Sequence, residues 1–246
     1  MTEARSARLA VVGLRKAFGG LRAVNDCTFE VAPATVVGLI GPNGSGKSTV
    51  FNLVTKRLRP DAGAVFFDGE RIDGLKTYEI ARRGIGRTFQ EVRVFRELSV
   101  WDNLAIAAMG RDQTGWQARA RDWLGRLRLS HLSGDPAEHL SVGQQRLLEL
   151  AMNLVVEPAF LMLDEPLAGV HPTIRAQIAA TIRALRAEGR TFLVIEHDMA
   201  FVMGLCDALV VMDHGEKIAE GPPEAIRRDE RVIAALLGQR HAGAAV

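Results

Sequence analysis

The sequence contains no apolar run that approaches the roughly 18 to 20 residues needed to cross a bilayer, although 48% of its 246 residues are hydrophobic. Its first residues, Met1 to Arg8, are polar and charged, without the apolar core and small-residue cleavage site of a secretory signal. We therefore predict a protein that does not span a membrane and stays in the cytosol.

Cysteine is scarce as well. Cys27 and Cys206 are the only two in the sequence, which is too few, and too far apart along the chain, for a metal cluster or a disulfide scaffold. We expect both to be reduced thiols in the hydrophobic core.

Neither sign of charge is in excess, because 31 basic side chains nearly balance 29 acidic ones. A surface for nucleic acid or for anionic lipid would usually show as a marked basic excess. The composition therefore gives no reason to expect a nucleic-acid partner. The length is sufficient for one large domain or two small ones with a substantial core.

The N-terminal part shows the alternating pattern of half-buried strands. Leu9 to Val12 and Thr28 to Val31 flank a turn signal at Gly19 and Gly20. We predict that the chain opens with an antiparallel pair of strands.

Three later runs are apolar almost throughout, as in strands that a parallel sheet buries on both faces. They are Val36 to Ile40, Phe160 to Leu163 and Thr191 to Ile195. Polar residues follow these runs, and ligands of open α/β sheets bind at the carboxyl ends of the strands. The sequence therefore predicts one shared site where the three strands end.

Between about Trp101 and Val156 the apolar residues recur at helical spacing, which predicts an inserted helical subdomain. Residues 110–115 and 130–136 carry the Gly, Asp, Ser and Pro residues of connecting loops. No internal repeat or low-complexity tract interrupts the sequence.

The first buried run leads directly into a phosphate-binding motif, G-x-x-x-x-G-K-[ST], with a helix predicted from about Lys47 to Thr55. Backbone N–H groups of such a loop converge on phosphates, and the helix adds its positive N-terminal end. Lys47 would reach the β- and γ-phosphates of ATP, and Ser48 would supply a hydroxyl ligand to Mg²⁺. A chance glycine turn would not explain Lys47 and Ser48 at these offsets. The candidate nucleotide contacts are Gly41, Pro42, Asn43, Gly44, Ser45, Gly46, Lys47, Ser48 and Thr49.

Two acidic residues end the second buried run. Asp164 is placed to hold the Mg²⁺ shell that faces the phosphate loop, and Glu165 is the candidate general base for an attacking water. Glu165 has the alternative role of an acid at a helix N-terminus. His197 follows the third run and can donate to the γ-phosphate or orient Glu165, although a histidine there can also be purely structural.

Residues 161–166 read LMLDEP, and residues 140–144 read LSVGQ. Together with the phosphate-binding motif, these two segments resemble the ATP-binding cassette of ABC transporters, and the resemblance covers nearly the full length of the chain. The second resembles the family's signature segment, which binds the γ-phosphate of ATP held by a partner subunit. Ser141 suits the N-cap of the helix that would follow. The resemblance thus assigns nucleotide contacts to Ser141, Val142, Gly143 and Gln144, with Val142 standing where the family usually has glycine.

The resemblance also assigns roles to single residues elsewhere. Gln90, in Thr88-Phe89-Gln90, is similar to the glutamine that meets the metal or the water and whose loop senses the membrane subunit. Phe18 is similar to the ring that stacks on adenine, although an aromatic residue at a strand end can also belong to the core. His171 replaces the aspartate usual in a loop that contacts the opposite subunit.

The fold class that the resemblance implies is α/β: a P-loop ABC ATPase cassette with a RecA-like parallel-sheet core, an antiparallel β subdomain and a helical subdomain. The chain would be a single ATP-hydrolysing domain. Its catalytic core would occupy about residues 1–95 and 157–220, its helical signature subdomain about 96–156, and a C-terminal helical tail about 221–246.

The partners follow from the same resemblance. Because the signature and the phosphate loop of one subunit serve different nucleotides, it implies a head-to-tail homo- or heterodimer that encloses two ATP molecules. Separate membrane permeases would dock near Gln90, with Val92, Val94 and Phe95 as candidate contacts, and a solute-binding protein would act indirectly. The subunit would then be cytoplasmic and peripheral to the inner face of the cell membrane.

Several blocks look similar to ATPases of branched-chain amino acid uptake, namely residues 18–24, 87–90, 196–199 and 232–238. The segment from 110 to 140 is shorter than is usual for that group, and ATPases of urea or amide uptake and of lipopolysaccharide export share several blocks. A soluble ABC ATPase that remodels DNA or ribosomes would typically carry two cassettes or a long coiled insertion. A P-loop kinase would lack the segment at 140–144.

Overall fold

The computed structural model describes residues 7–109 and 114–242, with side chains described as far as residue 236. Strands and helices alternate along most of this length. Parts of three predicted segments lie outside the described residues: the polar N-terminus at 1–6, the loop at 110–113 and the tail at 243–246. The described strands are β1 Leu9–Phe18, β2 Leu21–Val31, β3 Val36–Ile40, β4 Ala62–Phe67, β5 Glu70–Arg71, β6 Ile85–Arg87, β7 Phe160–Asp164, β8 Thr191–Ile195, β9 Ala208–Asp213 and β10 Glu216–Gly221. The described α-helices are α1 Lys47–Val54, α2 Thr77–Arg82, α3 Val100–Ala108, α4 Trp116–Arg126, α5 Val142–Leu154, α6 Pro172–Ala187, α7 Met199–Leu205, α8 Pro223–Ile226 and α9 Glu230–Ala242.

The central sheet has the strand order β10-β9-β3-β8-β7-β6. All neighbouring pairs are parallel except β10 with β9. Every residue of β3, β7 and β8 is buried, which explains their continuous apolar sequences, since helices or a second sheet cover both faces. The predicted α/β fold with a parallel core is confirmed.

A second sheet, in the order β2-β1-β4-β5, is antiparallel throughout. It opens with the predicted hairpin, in which Phe18 pairs with Leu21 across a turn where Gly19 has a φ of +57°. The inner side chains of this sheet share one hydrophobic cluster with α1 and with one face of the central sheet. The phosphate loop therefore lies between two sheets.

Helices α3, α4 and α5 pack against the other face of the central sheet. Leu161 and Leu163 of β7 belong to this cluster, whereas Phe160 and Met162 belong to the first, because successive side chains of a strand point to opposite faces. Ser99 caps α3, accepting from the N–H of Asp102 at 3.0 Å. Residues 130–136, predicted as a loop, contain a short 3₁₀ turn at Ser130–Leu132, and a second such turn follows at Ala137–His139. No helix within the described ranges is long and apolar enough to cross a membrane.

Both cysteines are buried free thiols. Burial raises the pKa of Cys27 and of Cys206 to about 12. The thiolate is the reactive form of cysteine, so both side chains are protonated and unreactive near neutral pH.

A thiol-reactive chromogenic reagent at pH 7 should therefore label neither cysteine in the native protein and both after unfolding in guanidinium chloride. The absorbance of the released chromophore counts the labelled thiols. The variant Cys206→Ser, which should release half as much chromophore once unfolded, is the control for the count. Rapid labelling of the native wild-type chain would contradict the burial of these side chains.

Candidate functional site

The phosphate loop joins β3 to α1 and has room only for glycine at two of its positions. At Gly41, where φ is +147°, a Cβ atom would collide with the backbone carbonyl of Met212. At Gly46, where φ is +102°, it would collide with that of Ala23. The backbones of β9 and β2 therefore press against the loop and define its shape.

Lys47 begins α1 with its side chain folded into the loop. It is 5% exposed, and its Nζ donates to the carbonyl oxygens of Gly41 at 2.9 Å and Pro42 at 2.7 Å. Burial lowers the pKa of the amine, and the charges of Glu165 and Asp164 oppose this change. The ammonium group is thus held inside the loop by backbone carbonyls and by the field of two carboxylates.

A cleft of about 730 Å³ lies against the loop. A second cavity, of about 920 Å³, includes Gly41 and Pro42 and shares Asn43 and other residues with the first. Ser45 is buried within the loop, where its Oγ is 3.4 Å from Lys47 Nζ. The predicted site residues that line the cleft are Phe18, Asn43, Gly44, Gly46, Lys47, Ser48, Thr49, Gln90, Glu165 and His197.

Glu165 has a backbone conformation that few residues other than glycine adopt. Its φ is +48°, and strained conformations of this kind cost of order 1–3 kcal/mol and cluster at functional sites. Its carboxylate lies between two side chains: His197 Nε2 is 2.8 Å from Oε1, and Gln90 Nε2 donates to Oε2 at 3.4 Å. Helix α6 begins only at Pro172, so Glu165 is not an acid at a helix terminus. The structure thus brings the three predicted catalytic residues together.

Asp164 is the last residue of β7 and is more deeply buried than Glu165. Arg87 Nη2 donates to its Oδ2 at 3.2 Å, while Oδ1 is buried with no hydrogen-bond partner among the described residues. Burial raises the pKa of Asp164, and the charge of Arg87 opposes that rise. The Asp164 carboxylate and the hydroxyl of the exposed Ser48 are hard oxygen donors of the kind that Mg²⁺ prefers.

The described residues contain no cluster of three or more His, Cys, Asp or Glu side chains suited to a metal. A magnesium ion at this site would therefore take most of its ligands from phosphate oxygens and water. That division is typical of Mg²⁺, which is usually bound by one or two protein side chains together with the substrate's phosphates.

The β1–β2 hairpin forms another wall of the cleft. Phe18 is 46% exposed and so does not belong to the core, and Lys16 Nζ lies 5.5 Å from the centre of its ring. Leu21, also exposed, and His214 line the cleft as well. Neither Leu21 nor His214 was predicted from the sequence. For Leu21 the sequence does contain a signal, because an apolar residue directly follows the Gly19-Gly20 turn.

The segment at 141–144 forms the N-terminal end of α5. Ser141 Oγ accepts from the N–H of Gln144 at 3.3 Å, and Gln144 Oε1 accepts from the N–H of Ser141 at 2.9 Å, which is a capping box. Val142 is 57% exposed, whereas Gly143 is buried against Ile174. None of these four signature residues is among the residues that the structure shows lining the cleft of their own chain.

His171 is the N-cap of α6. Its Nδ1 accepts from the N–H of Thr173 at 3.3 Å. An aspartate carboxylate provides the same kind of cap, so the replacement of the usual aspartate preserves the start of the helix. The imidazole itself is exposed.

A buried ion pair on α5 holds the loop that carries Gln90. Arg146 Nη1 lies 3.1 Å from Glu149 Oε2, and both side chains are almost fully buried. Glu149 Oε1 accepts from the N–H groups of Phe89 at 3.2 Å and Arg93 at 3.4 Å, and Arg146 donates to the carbonyl oxygens of Phe89 at 2.7 Å and Gln90 at 2.8 Å. Neither Arg146 nor Glu149 was predicted to hold this loop. The sequence does contain a signal for the pair, because the two residues carry opposite charges three positions apart on an apolar helix face.

Comparison with known proteins identifies the family. A family model for ABC transporters matches residues 24–168, and a model for branched-chain amino acid ATP-binding cassette transporters matches residues 216–242. The chain is 41% identical to the high-affinity branched-chain amino acid transport ATP-binding proteins LivG of Escherichia coli (strain K12) and BraF of Pseudomonas aeruginosa. Each alignment covers 94% of this chain and 98% of the relative. The lipopolysaccharide export system ATP-binding protein LptB of Escherichia coli (strain K12) is 36% identical, with 95% of this chain and 98% of that protein covered.

Solved structures give the same result. The ADP conformation of MJ1267, an ATP-binding cassette of an ABC transporter, superposes with a TM-score of 0.86 at 33% identity and covers 94% of this chain and 99% of that chain. A nucleotide-free ATP-binding cassette from an ABC transporter gives a TM-score of 0.84 at 33% identity, covering 92% and 97%. The chain therefore belongs to the ABC transporter family of ATP-binding cassettes and is an ABC-type ATPase.

Proposed function

We propose that this ATPase powers the uptake of branched-chain or other hydrophobic amino acids through separate membrane subunits. The observation that carries its catalytic chemistry is the position of Glu165, held by Gln90 and His197 beside the phosphate loop. The solute is supported by the match of residues 216–242 to the branched-chain amino acid cassette model and by the likeness to LivG and BraF.

ATP binds along the cleft with its phosphates in the loop of residues 41–49. Backbone N–H groups and the N-terminal end of α1 attract the phosphates. Lys47 exchanges the carbonyl oxygens of its own loop for charged phosphate oxygens, which are stronger acceptors. Phe18, exposed in the same cleft, offers a flat face to the adenine ring.

Hydrolysis depends on Glu165 as the general base. A water between Glu165 and the γ-phosphate gives a proton to the carboxylate as its oxygen attacks the γ-phosphorus. The bond from that phosphorus to the β–γ bridging oxygen breaks, and ADP leaves. His197 and Gln90 each hold one oxygen of that carboxylate, so that the base keeps one orientation. Ser48, Gln90 and Asp164 are the residues that would hold Mg²⁺, which when bound neutralises charge on the phosphates.

A second ABC ATPase subunit completes each site in a head-to-tail homo- or heterodimer. Ser141 is the N-cap of α5 at an exposed helix end, and such ends attract anions. We assign Ser141, Val142, Gly143 and Gln144 to the nucleotide that the partner's phosphate loop holds. The side chain of Val142 is 57% exposed, so its replacement of the usual glycine is compatible with this role.

The membrane permeases dock beside the Gln90 loop. A groove of about 750 Å³ lies there, between α2 and β6 of the core and helices α3 and α5. Phe95 is exposed and Val92 and Val94 are half-buried, so the loop offers apolar surface for contact. In this proposal the subunit lies in the cytoplasm, peripheral to the inner face of the membrane. A solute-binding protein acts on it only through the permeases.

Lipopolysaccharide export is a second candidate function, because LptB is 36% identical over nearly the whole chain. Both functions use the same ATP chemistry, and a transported solute contacts the membrane subunits rather than this chain. Transport itself must therefore distinguish them.

Replacing Glu165 by Gln should preserve ATP binding and nearly abolish turnover, because only the proton acceptor is lost. We expect kcat to fall about 10²- to 10⁴-fold, and we expect ATP to trap the variant as a dimer. Phosphate release measures turnover, and size-exclusion chromatography in MgATP measures the dimer. Glu188→Gln, at the exposed end of α6, is the matched control and should change neither. Turnover at the wild-type rate in Glu165→Gln would refute the role of this residue.

Replacing Lys47 by Ala should weaken nucleotide binding itself, since a charge-assisted phosphate contact disappears. The dissociation constant for ATP, measured by calorimetry, should rise at least about tenfold. Lys217→Ala removes a lysine that pairs with Glu220 at the surface and should leave ATP affinity unchanged. An unaltered ATP affinity in Lys47→Ala would contradict the placement of the phosphates.

The solute is tested by transport. Membrane subunits that co-purify with the tagged chain are reconstituted into vesicles, with MgATP on the side of the ATPase. Radiolabelled leucine should accumulate at the expense of ATP, and a complex carrying Glu165→Gln should not accumulate it. Transport of urea in place of leucine, or extraction of lipopolysaccharide, would show that the proposed solute is wrong and would name the one that replaces it.

A further inference from the structure

Arg87, the last residue of β6, contacts two of the elements that carry the proposed magnesium ligands, α1 and the end of β7. Its side chain is 8% exposed. Nη1 donates to Asn52 Oδ1 at 2.9 Å and to Thr55 Oγ1 at 2.8 Å, in α1 and at its C-terminal end. Nη2 donates to Asp164 Oδ2 at 3.2 Å. One guanidinium group therefore joins α1 to the end of β7.

The contacts on α1 lie on the helix face that also carries Ser48. Asn52 follows Ser48 by four positions and Thr55 follows it by seven, and these spacings align side chains along one face of a helix. By holding Asn52 and Thr55, Arg87 fixes how far this face stands from Asp164. Ser48 and Asp164 are two of the three proposed ligands, and α1 and β7 carry one each.

The guanidinium group of Arg87 is itself held in place. It packs 5.5 Å from the ring centre of Phe51 and 5.1 Å from that of Phe89. The backbone N–H of Arg87 donates to Asn153 Oδ1 at 3.0 Å. A planar guanidinium carries donors in a fixed fork and can serve several acceptors at once, whereas a lysine ammonium is a point charge.

The two oxygens of Asp164 have different surroundings because of Arg87. Oδ2 accepts from Arg87, and Oδ1 has no hydrogen-bond partner among the described residues. A carboxylate tied down through one oxygen presents the other in a single orientation. This is the arrangement in which an outer partner orients a metal ligand.

We propose that Arg87 is a positioning residue for magnesium: it holds Asp164 through Oδ2 and α1 through Asn52 and Thr55, so that Asp164 Oδ1 and the Ser48 hydroxyl meet the same ion. The inference rests on the proposed roles of Ser48 and Asp164 as ligands. Arg87 acts through them and is not itself a ligand. Loss of a partner that orients a metal ligand typically lowers metal affinity about 10- to 100-fold.

The Mg²⁺ dependence of nucleotide binding tests this role without relying on hydrolysis. The purified subunit is titrated with MgCl₂ at a fixed concentration of a non-hydrolysable ATP analogue, and binding is measured by calorimetry. Arg87→Gln should raise the Mg²⁺ concentration for half-maximal enhancement of binding about tenfold, while affinity for the analogue in EDTA stays within about twofold. A purely structural role would weaken binding in EDTA equally, and that result would overturn the proposal.

Arg87→Lys keeps the positive charge but removes the planar fork of donors. It also keeps the proposal testable if Arg87→Gln fails to fold. We expect Arg87→Lys to remain folded at the assay temperature and still to need about tenfold more Mg²⁺. Recovery of the wild-type Mg²⁺ dependence in Arg87→Lys would overturn the proposal.

Arg190→Gln is the matched control, since Arg190 Nη1 also donates to two oxygens. They are the backbone carbonyl oxygens of Glu157 at 3.0 Å and Pro158 at 2.7 Å. These residues precede β7 and β8, opposite the site, so the control should leave the Mg²⁺ dependence unchanged.

Asp164→Asn distinguishes failure of this inference from failure of the proposed site. It should itself raise the Mg²⁺ requirement at least about tenfold. If it does so and the Arg87 variants do not, Arg87 has no positioning role and the assignment of Asp164 stands. If Asp164→Asn has no effect, the proposed metal site is wrong and the role of Arg87 is wrong with it.

Discussion

The lateral pairing of β3, β8 and β7 is the constraint on which the rest of the site depends. In the parallel register, Leu39 lies opposite Ile195, and Ile195 lies opposite Asp164. Segments that are remote in sequence therefore end side by side, and the phosphate loop, Glu165 and His197 leave the sheet at the same edge. A slip of one residue in a pairing would exchange the two faces of a strand. It would also break the 2.8 Å contact between His197 and Glu165.

The buried ion pairs of this protein position its elements more than they stabilise the fold. The pairs Arg87–Asp164 and Arg146–Glu149 are both buried, and desolvation offsets much of the attraction within a buried pair. Each pair also bonds to groups on other elements. The first joins α1 to the end of β7, and the second joins α5 to the backbone of the Gln90 loop. Both therefore connect the sheet edge to elements that the sheet alone would not hold.

Features that depend on a short stretch of chain were predictable from the sequence. The glycines of the phosphate loop follow from backbone conformations that other residues reach only with strain. The cap at Ser141 follows from the reciprocal contact with Gln144 within one turn, and the buried strands follow from continuous apolar runs. The hairpin strands were predicted too short, since β1 continues to Phe18 through a mixed sequence. There the pairing with β2 and β4 outweighs the local pattern.

The sequence by itself determined the phosphate loop, the two carboxylates and the class of fold, because these features depend on residue types and spacings within single segments. Only the tertiary structure decided that Gln90 and His197 contact Glu165 and that Phe18 lies outside the core. It also decided that Arg87 binds one oxygen of Asp164, while the other oxygen has no hydrogen-bond partner in the described part of the chain. These facts concern distances between segments far apart in the chain. Such distances are set by the register of the sheet and by close packing on its two faces, and the pattern within one segment does not encode them.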